Sequence, residues 1–282
     1  MRLLRYVRCD VFTDRAFTGN QLAVFTDARG VSPELMQALA REMNLAESVF
    51  VLRPEAGGHA KLRIFTPVHE MPFAGHPTLG SAFVLGNALQ AEVIQFETGV
   101  GLVPVRLERE GARAVFGWME QRVPTERPFE RPAELLSILG VTHSELPVIE
   151  YDNGAQHAFV ILKTPADVAR LEPDLTRLKR FTRVSINVAA GSGLEWKTRM
   201  FAPAAGVPED AATGSAAGPL AVHLARHGKV AFGEGLRIRQ GEEIQRPSEL
   251  SAVVRGSAEQ IDAVEVGGAA VIVGRGEIRI DG

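Results

Sequence analysis

Arg63-Ile64-Phe65-Thr66-Pro67 returns as Arg199-Met200-Phe201-Ala202-Pro203, an offset of 136 (199 − 63) in a chain of 282 residues. Each copy runs into a turn of small residues bearing glycine. The first is Phe73-Ala74-Gly75-His76-Pro77-Thr78-Leu79-Gly80, and the second is Asp210-Ala211-Ala212-Thr213-Gly214-Ser215-Ala216-Ala217-Gly218. Upstream, Gly19-Asn20-Gln21-Leu22-Ala23 echoes Gly154-Ala155-Gln156-His157-Ala158 at an offset of 135 (154 − 19). An offset of nearly half the chain that drifts slowly is the mark of a duplication. Two similar halves are therefore expected around one cleft, each presenting a turn at a helix start.

Around the repeats, strand patterns alternate with single long helices. Tyr6–Phe12, Leu22–Phe25, Ser48–Leu52 and Lys61–Phe65 read as strands. Ser32-Pro33 opens a helix with serine as N-cap and proline in the first turn; Leu35, Leu39 and Met43 form its apolar face and Asn44 ends it. Thr78–Leu89 reads as a helix of small and apolar residues. Strands follow around Val93–Phe96, Leu102–Leu107 and Ala114–Trp118. Val123-Pro124 to Pro132 is rich in proline and poor in apolar groups, so it reads as a linker between halves 1–123 and 124–282. Such a linker implies closure of the halves on a ligand.

Beyond it, Pro132–Gly140 and Asp167–Phe181 read as helices, and Ala158–Leu162, Val184–Val188 and Trp196–Phe201 as strands. Leu220–His227 reads as the helix after the second turn. The tail is strand-rich, over Leu236–Arg239, Ser251–Arg255, Ala269–Val273 and Gly276–Ile280, and these last strands can cross back to the first half. The alternation predicts an α+β chain of two pseudo-symmetric halves, each a curled mixed or antiparallel sheet around a central helix. Nucleotide-loop patterns of the GxGxxG or GxxxxGK[ST] kind are absent from the sequence.

Composition narrows the function classes. Apolar residues make up 45% and charged residues 23%, which is globular, and the net charge of −3 argues against a general nucleic-acid surface. An anion bound here is held locally. Cys9 is the only cysteine, so neither an internal disulfide nor a cysteine metal cluster is available. The first residues hold no apolar run of signal-peptide length, and no stretch approaches the ~18 apolar residues of a membrane span. A cytoplasmic protein without a membrane partner is the expectation.

The two turns carry the candidate chemistry. The first amides of a helix have no internal partner, and the helix dipole adds positive potential there. Two such starts suit a small acidic ligand; close helix packing would equally explain their small residues. His76, at a helix start, is expected to have a lowered pKa and to serve as donor or proton shuttle, or to be a structural imidazole. Asp210 either meets a ligand or caps the second helix. Thr213 and Ser215 either donate to an anion or cap. Glu47 sits between a helix and the apolar strand Val49–Leu52. It is either a surface acid or a carboxylate whose pKa is raised toward that of a general base.

The run Ala40-Arg41-Glu42-Met43-Asn44-Leu45-Ala46-Glu47-Ser48-Val49-Phe50-Val51 resembles the phenazine-biosynthesis isomerase (PhzF-like) family. Phe17-Thr18-Gly19-Asn20 and both small-residue turns resemble it too, in the same order along the chain. The resemblance implies the diaminopimelate-epimerase-like fold, with the site between two pseudo-symmetric halves. It implies an isomerase that needs no metal or organic cofactor. Glu47 matches the family's acid–base glutamate, which moves a proton within trans-2,3-dihydro-3-hydroxyanthranilate. His76, Asp210 and Ser215 match family residues that hold the substrate or assist the proton. His76 and Asp210 would bond its amino and carboxylate groups, and Ser215 with the helix-start amides would stabilise developing charge. Gly75, Pro77, Thr78, Thr213 and Gly214 complete the implied binding set, and a homodimer is implied as well. Ala211 stands where the family motif often has proline, which alters loop stiffness rather than chemistry.

Three alternatives can be weighed on the sequence. A two-thiol epimerase of the same fold is excluded by the single cysteine. A metal hydrolase lacks support, because His59, His69 and His76 show no recognised ligand spacing. A non-catalytic binding or scaffold protein that kept the fold is the remaining competitor.

Overall fold

The small, apolar residues that follow each repeated turn form a helix buried on every side. The computed structural model describes residues 2–280. In chain order the first elements are β1 (Arg2–Val11), β2 (Asn20–Phe25), α1 (Pro33–Met43), β3 (Glu47–Leu52), β4 (Ala60–Phe65), β5 (Glu70–Met71) and α2 (Gly75–Leu89). Next come β6 (Val93–Thr98), β7 (Gly101–Glu110), β8 (Arg113–Gln121), β9 (Thr125–Pro128), α3 (Pro132–Leu139), β10 (Ile149–Asp152) and β11 (Gln156–Ile161). The chain continues through α4 (Pro165–Ala169), α5 (Leu175–Phe181), β12 (Ser185–Ser192), β13 (Glu195–Ala202), β14 (Val207–Asp210) and α6 (Gly214–Arg226). It closes with β15 (Gly235–Gln240), β16 (Ser248–Gly256), β17 (Ile261–Gly268) and β18 (Ala270–Ile280).

The chain separates into two compact units, Met1–Glu120 with Gly267–Gly282, and Gln121–Val266. The boundaries fall inside β8 and β17. The tail crosses back to the first unit, as the sequence allowed, since β18 pairs antiparallel with β1 from Arg2↔Ile280 to Val11↔Ala270. The Pro-rich stretch is not a free linker. Thr125–Pro128 pairs with β10, Thr125↔Asp152 to Pro128↔Ile149, because an edge strand tolerates a proline that cannot donate to the ladder. The expectation of closure that rested on this linker loses its basis.

Within the first unit, β2 runs parallel to β3 (Leu22↔Glu47), β3 antiparallel to β4 (Ser48↔Phe65), β4 parallel to β6, and β6 antiparallel to β7. The second unit repeats these senses: β11 parallel to β12 (His157↔Ser185), β12 antiparallel to β13 (Ile186↔Phe201), β13 parallel to β15, and β15 antiparallel to β16. The duplication read from the sequence thus holds at the level of strand register, and the mixed-sheet α+β class stands.

Helix α1 forms as its punctuation predicts. Ser32 accepts from the Leu35 amide, Asn44 closes the helix in the left-handed region, and Met36, Leu39 and Ala40 are buried against Phe25, Phe50 and Phe65. Phe25 and Phe50 stack at 4.7 Å between centroids, and Phe65 meets Phe50 edge-on at 5.5 Å. In the second unit α3, α4 and α5 cover a core of Leu135, Ile138, Val160, Val168, Leu178, Ile186 and Val188.

Four expectations are corrected here. Asp167–Phe181 is two helices, because Pro173 lacks an N–H and Asp174 caps a new start by accepting from Arg177. Helix α2 begins at Gly75 rather than Thr78, so His76 and Pro77 lie in its first turn, where a missing N–H costs nothing. Helix α6 begins at Gly214 rather than Leu220, with Pro219 inside it. The tail holds β17, which the sequence reading left out, and Ala270–Ile280 is one strand rather than two. Among the described residues no helix is long and apolar enough to cross a membrane.

Candidate active site

In the first unit three elements bring polar groups together. The loop between β1 and β2 is held by Asp10, buried, whose Oδ2 accepts from the Phe17 amide at 2.7 Å. Gly19 has φ +69°, and a Cβ there would lie 2.5 Å from Val11 O and from Thr13 Cγ2, so only glycine allows the chain to enter β2 here. The next residue, Asn20, is 3% exposed, and its Nδ2 lies 3.3 Å from His76 Nδ1.

Glu47 opens β3, parallel to β2, and its Oε2 lies 3.4 Å from His76 Nε2. The Glu47 side chain is 14% exposed, which removes the surface-acid reading. His76 is the second residue of α2 and is buried. Its pKa falls to about 3, principally through burial, against a raising hydrogen bond with the Gln21 backbone. The lowered value agrees with the expectation, but the leading cause is desolvation rather than the helix dipole. The imidazole is therefore neutral at physiological pH.

The start of α2 has no side-chain cap, as Ala74 is its N-cap. Thr78 is fully buried, and its hydroxyl donates to Ala74 O at 2.8 Å. Pro77 is also buried, and Gly75 contributes backbone alone.

In the second unit Asp210 ends β14, and its Oδ2 accepts from Thr213 Oγ1 at 2.7 Å. Gln240 of β15 locks this turn. Its Nε2 donates to Asp210 O and to Thr213 Oγ1, each at 2.9 Å, and its Oε1 accepts from the Thr213 amide at 3.2 Å. Thr213 is the N-cap of α6 but makes no side-chain cap. The Thr213 hydroxyl is given to Asp210 instead, so the capping reading of Thr213 falls.

Ser215, the second residue of α6, lies 3.0 Å through Oγ from His157 Nε2. His157 is 2% exposed, and its Nδ1 lies 3.3 Å from Asn187 Nδ2. Burial lowers the His157 pKa to about 4, with Asp152 opposing. Pro219 deprives the Ser215 carbonyl of its usual helical donor, and Asn153 Nδ2 supplies one at 2.9 Å. Gln121 Nε2 donates to Gly214 O at 2.9 Å.

Sequence reasoning did not single out Asn20, His157, Asn187 and Gln240 as site residues. Asn20 and His157 already stood inside the repeated Gly19-to-Ala23 and Gly154-to-Ala158 segments. Asn187 and Gln240 carry no local signal. Among the described residues no group of three His, Cys, Asp or Glu has the proximity to hold a metal ion.

Residues 9–276 match the family described as phenazine biosynthesis-like protein. The chain belongs to the phenazine biosynthesis-like family. It is 50% identical over 264 residues to the trans-2,3-dihydro-3-hydroxyanthranilate isomerase of Pseudomonas aeruginosa, covering 94% of this chain and 95% of that protein. Among solved structures it is similar to the Bacillus anthracis phenazine biosynthesis protein of the PhzF family, with TM-score 0.87, 25% identity, and 99% and 100% coverage. The fold extends to the hydroxyproline epimerase of Agrobacterium vitis, with TM-score 0.66 at 12% identity over 98% of this chain and 92% of the other. This phenazine biosynthesis-like chain is an isomerase that acts on a small molecule, and the scaffold reading is set aside.

Proposed function

We propose that this isomerase moves a proton within trans-2,3-dihydro-3-hydroxyanthranilate, with Glu47 as the group that takes the proton from one carbon and returns it to another. The observation that carries the reading is the pair Glu47 Oε2 and His76 Nε2, 3.4 Å apart and both buried, at the uncapped start of α2. A neutral imidazole 3.4 Å from the carboxyl is near enough to meet it as donor or acceptor once a ligand tightens the pair, so the carboxyl can gain and lose a proton without a large reorganisation. The step is redox-neutral. The C–H electron pair enters the conjugated system as Glu47 takes the proton, the double bonds shift, and the same carboxyl protonates a different carbon.

Asp210 suits the substrate's ammonium group, because Thr213 and Gln240 hold its carboxyl and backbone in place. Ser215 and the first amides of α6 suit its carboxylate and the negative charge that grows on it. Gly75, Gly214 and Thr213 serve through backbone and positioning rather than through acid–base chemistry. Family likeness supports a homodimer and a mechanism without a cofactor, which belong to the same proposal.

The test is turnover of trans-2,3-dihydro-3-hydroxyanthranilate in deuterated water, followed by absorbance and product mass. The reading predicts isomerisation, with deuterium at the newly protonated carbon to the extent that the Glu47 carboxyl exchanges with solvent before it delivers its proton. Absence of turnover under saturating substrate would remove this substrate. Turnover without any deuterium in early product would remove exchange through the Glu47 carboxyl.

A further inference from the structure

Ser215 faces a histidine across 3.0 Å, the spacing of a serine nucleophile and its base, and the direction of the proton between them decides what the serine can do. Asn187 settles that direction. Its Nδ2 lies 3.2 Å from Ser185 O and 3.5 Å from Ala158 O, both acceptors, as well as 3.3 Å from His157 Nδ1. Reversing the amide would set Oδ1 against two carbonyl oxygens. The amide therefore presents N–H to the ring, and Nδ1 accepts. A neutral imidazole that accepts at Nδ1 carries its hydrogen on Nε2. Burial keeps this imidazole neutral, with a pKa of about 4. Nε2–H then donates to Ser215 Oγ.

We propose that His157, oriented by Asn187, is a positioning residue that occupies a lone pair of Ser215 Oγ and so turns the serine hydroxyl proton outward, making Ser215 an obligate hydrogen-bond donor to an anionic substrate group and never a nucleophile. The relay Asn187–His157–Ser215 is nine-tenths or more buried at each member, at 1%, 2% and 9% exposure. It spans β12, β11 and the second residue of α6. In the first unit Asn20, Glu47 and His76 occupy the matching elements β2, β3 and the second residue of α2. A base at Nε2, as a hydrolase requires, would need the opposite tautomer.

The inference rests on Ser215 meeting substrate as proposed above, so its test has one arm without substrate. Long-range nitrogen–proton NMR of the imidazoles at pH 7, with His157 assigned through the His157→Gln variant, should show hydrogen on Nε2. Hydrogen on Nδ1 overturns the proposal whatever the substrate is. With substrate, His157→Phe should lower kcat/KM by about tenfold to a hundredfold, the effect of a lost hydrogen bond to a charged group. It should add nothing further on a Ser215→Ala background. His157→Gln, which keeps an N–H near the same point, should recover most of the loss. Equal losses in both backgrounds, or no recovery by Gln, would reduce His157 to a packing residue. Should His157→Phe fail to fold, the tautomer and the Gln variant decide the matter.

Discussion

At the start of α2 the second helical residue is a histidine, and at the start of α6 it is a serine. Both helices are buried, both begin without a side-chain cap, and both follow a strand of the repeated Arg-x-Phe-x-Pro motif. The residues around the two starts are permuted. The first unit places Asn20 on β2 and Glu47 on β3 beside the helical His76. The second places His157 on β11 and Asn187 on β12 beside the helical Ser215. The same parallel strand pair and helix start therefore serve two purposes. One half holds a titratable carboxyl against a neutral imidazole, and the other consumes its imidazole in orienting a hydroxyl. A duplicated frame supplies a buried helix start twice, and the side chains around it differ.

The largest effect expected from that division is on turnover. Glu47→Gln should lower kcat by roughly 10²–10⁴-fold, the contribution of a general base, while leaving the folded state intact. Ser215→Ala should act on KM and, to a smaller extent than Glu47→Gln, on kcat, with a loss in kcat/KM of about tenfold to a hundredfold. Steady-state kinetics with thermal unfolding of each variant checks both. Comparable loss of kcat in the two variants would break the assignment of chemistry to the first unit.

A second contrast concerns the repeated arginines. Arg63 clamps Glu70 with bonds of 2.7 and 2.6 Å, and Arg199 clamps Glu209 with bonds of 2.8 and 2.7 Å. Each guanidinium lies 5.1 Å from the ring of the phenylalanine two residues on. The Arg199 pair is 9% and 11% exposed against 22% and 41% for the Arg63 pair. Arg199→Met would strand the buried Glu209, next to Asp210, and should cost about 3–5 kcal/mol. Arg63→Met should cost about 1 kcal/mol or less. Denaturant midpoints measure the difference, and equal losses would deny the two clamps their different burial.

Packing around the two helices should respond more evenly. A Cβ at Gly80 would meet Leu22 Cδ2 and Val11 Cγ2 at 2.7 Å, and one at Gly218 would meet Val264 Cγ1 at 2.7 Å and Gln121 Oε1. Each alanine substitution should destabilise by about 1–3 kcal/mol, read as a lowered Tm. Gly218→Ala should also disturb Gln121, which holds Gly214 O, and so should raise KM where Gly80→Ala does not.

A last contrast is in pH dependence. His76 and His157 have pKa values lowered to about 3 and about 4, from an ordinary value of 6.5. Between pH 6.5 and 4 the unfolded chain binds protons that the folded chain refuses. Stability is therefore full above pH 6.5 and falls as the pH drops, by up to about 1.4 kcal/mol per pH unit for each histidine. Chemical denaturation between pH 7.5 and 5 should show this slope, and His157→Gln should reduce it by one histidine's share. An unchanged slope would mean that His157 titrates normally in the fold.

The site was legible in proportion to how local its signals are. Glu47, His76, Asp210 and Ser215 sit in short motifs, and the structure brings Glu47 to His76 and Asp210 to Thr213. Helix α1 was readable to its caps because Ser32 and Asn44 act on their own neighbours. The bond from the Thr78 hydroxyl back to Ala74 O is visible only in the fold, because no pattern in the sequence marks it. The starts of α2 and α6 were placed too late because glycine, proline and serine read as turn formers. Their low helix propensity is overridden by burial on all sides and, at Pro219, by Asn153 from another segment.

By itself the sequence determined the duplication, the α+β class, the two turns and the family, because these rest on repeated local patterns and ordered motifs. Tertiary structure alone decided that β1 is the strand on which the tail pairs, that residues 125–128 form a strand, and that Asn187 and Gln240 reach the second helix start. Pairing between strands and the satisfaction of buried polar groups join residues far apart along the chain. No local pattern encodes which partner a buried side chain will find.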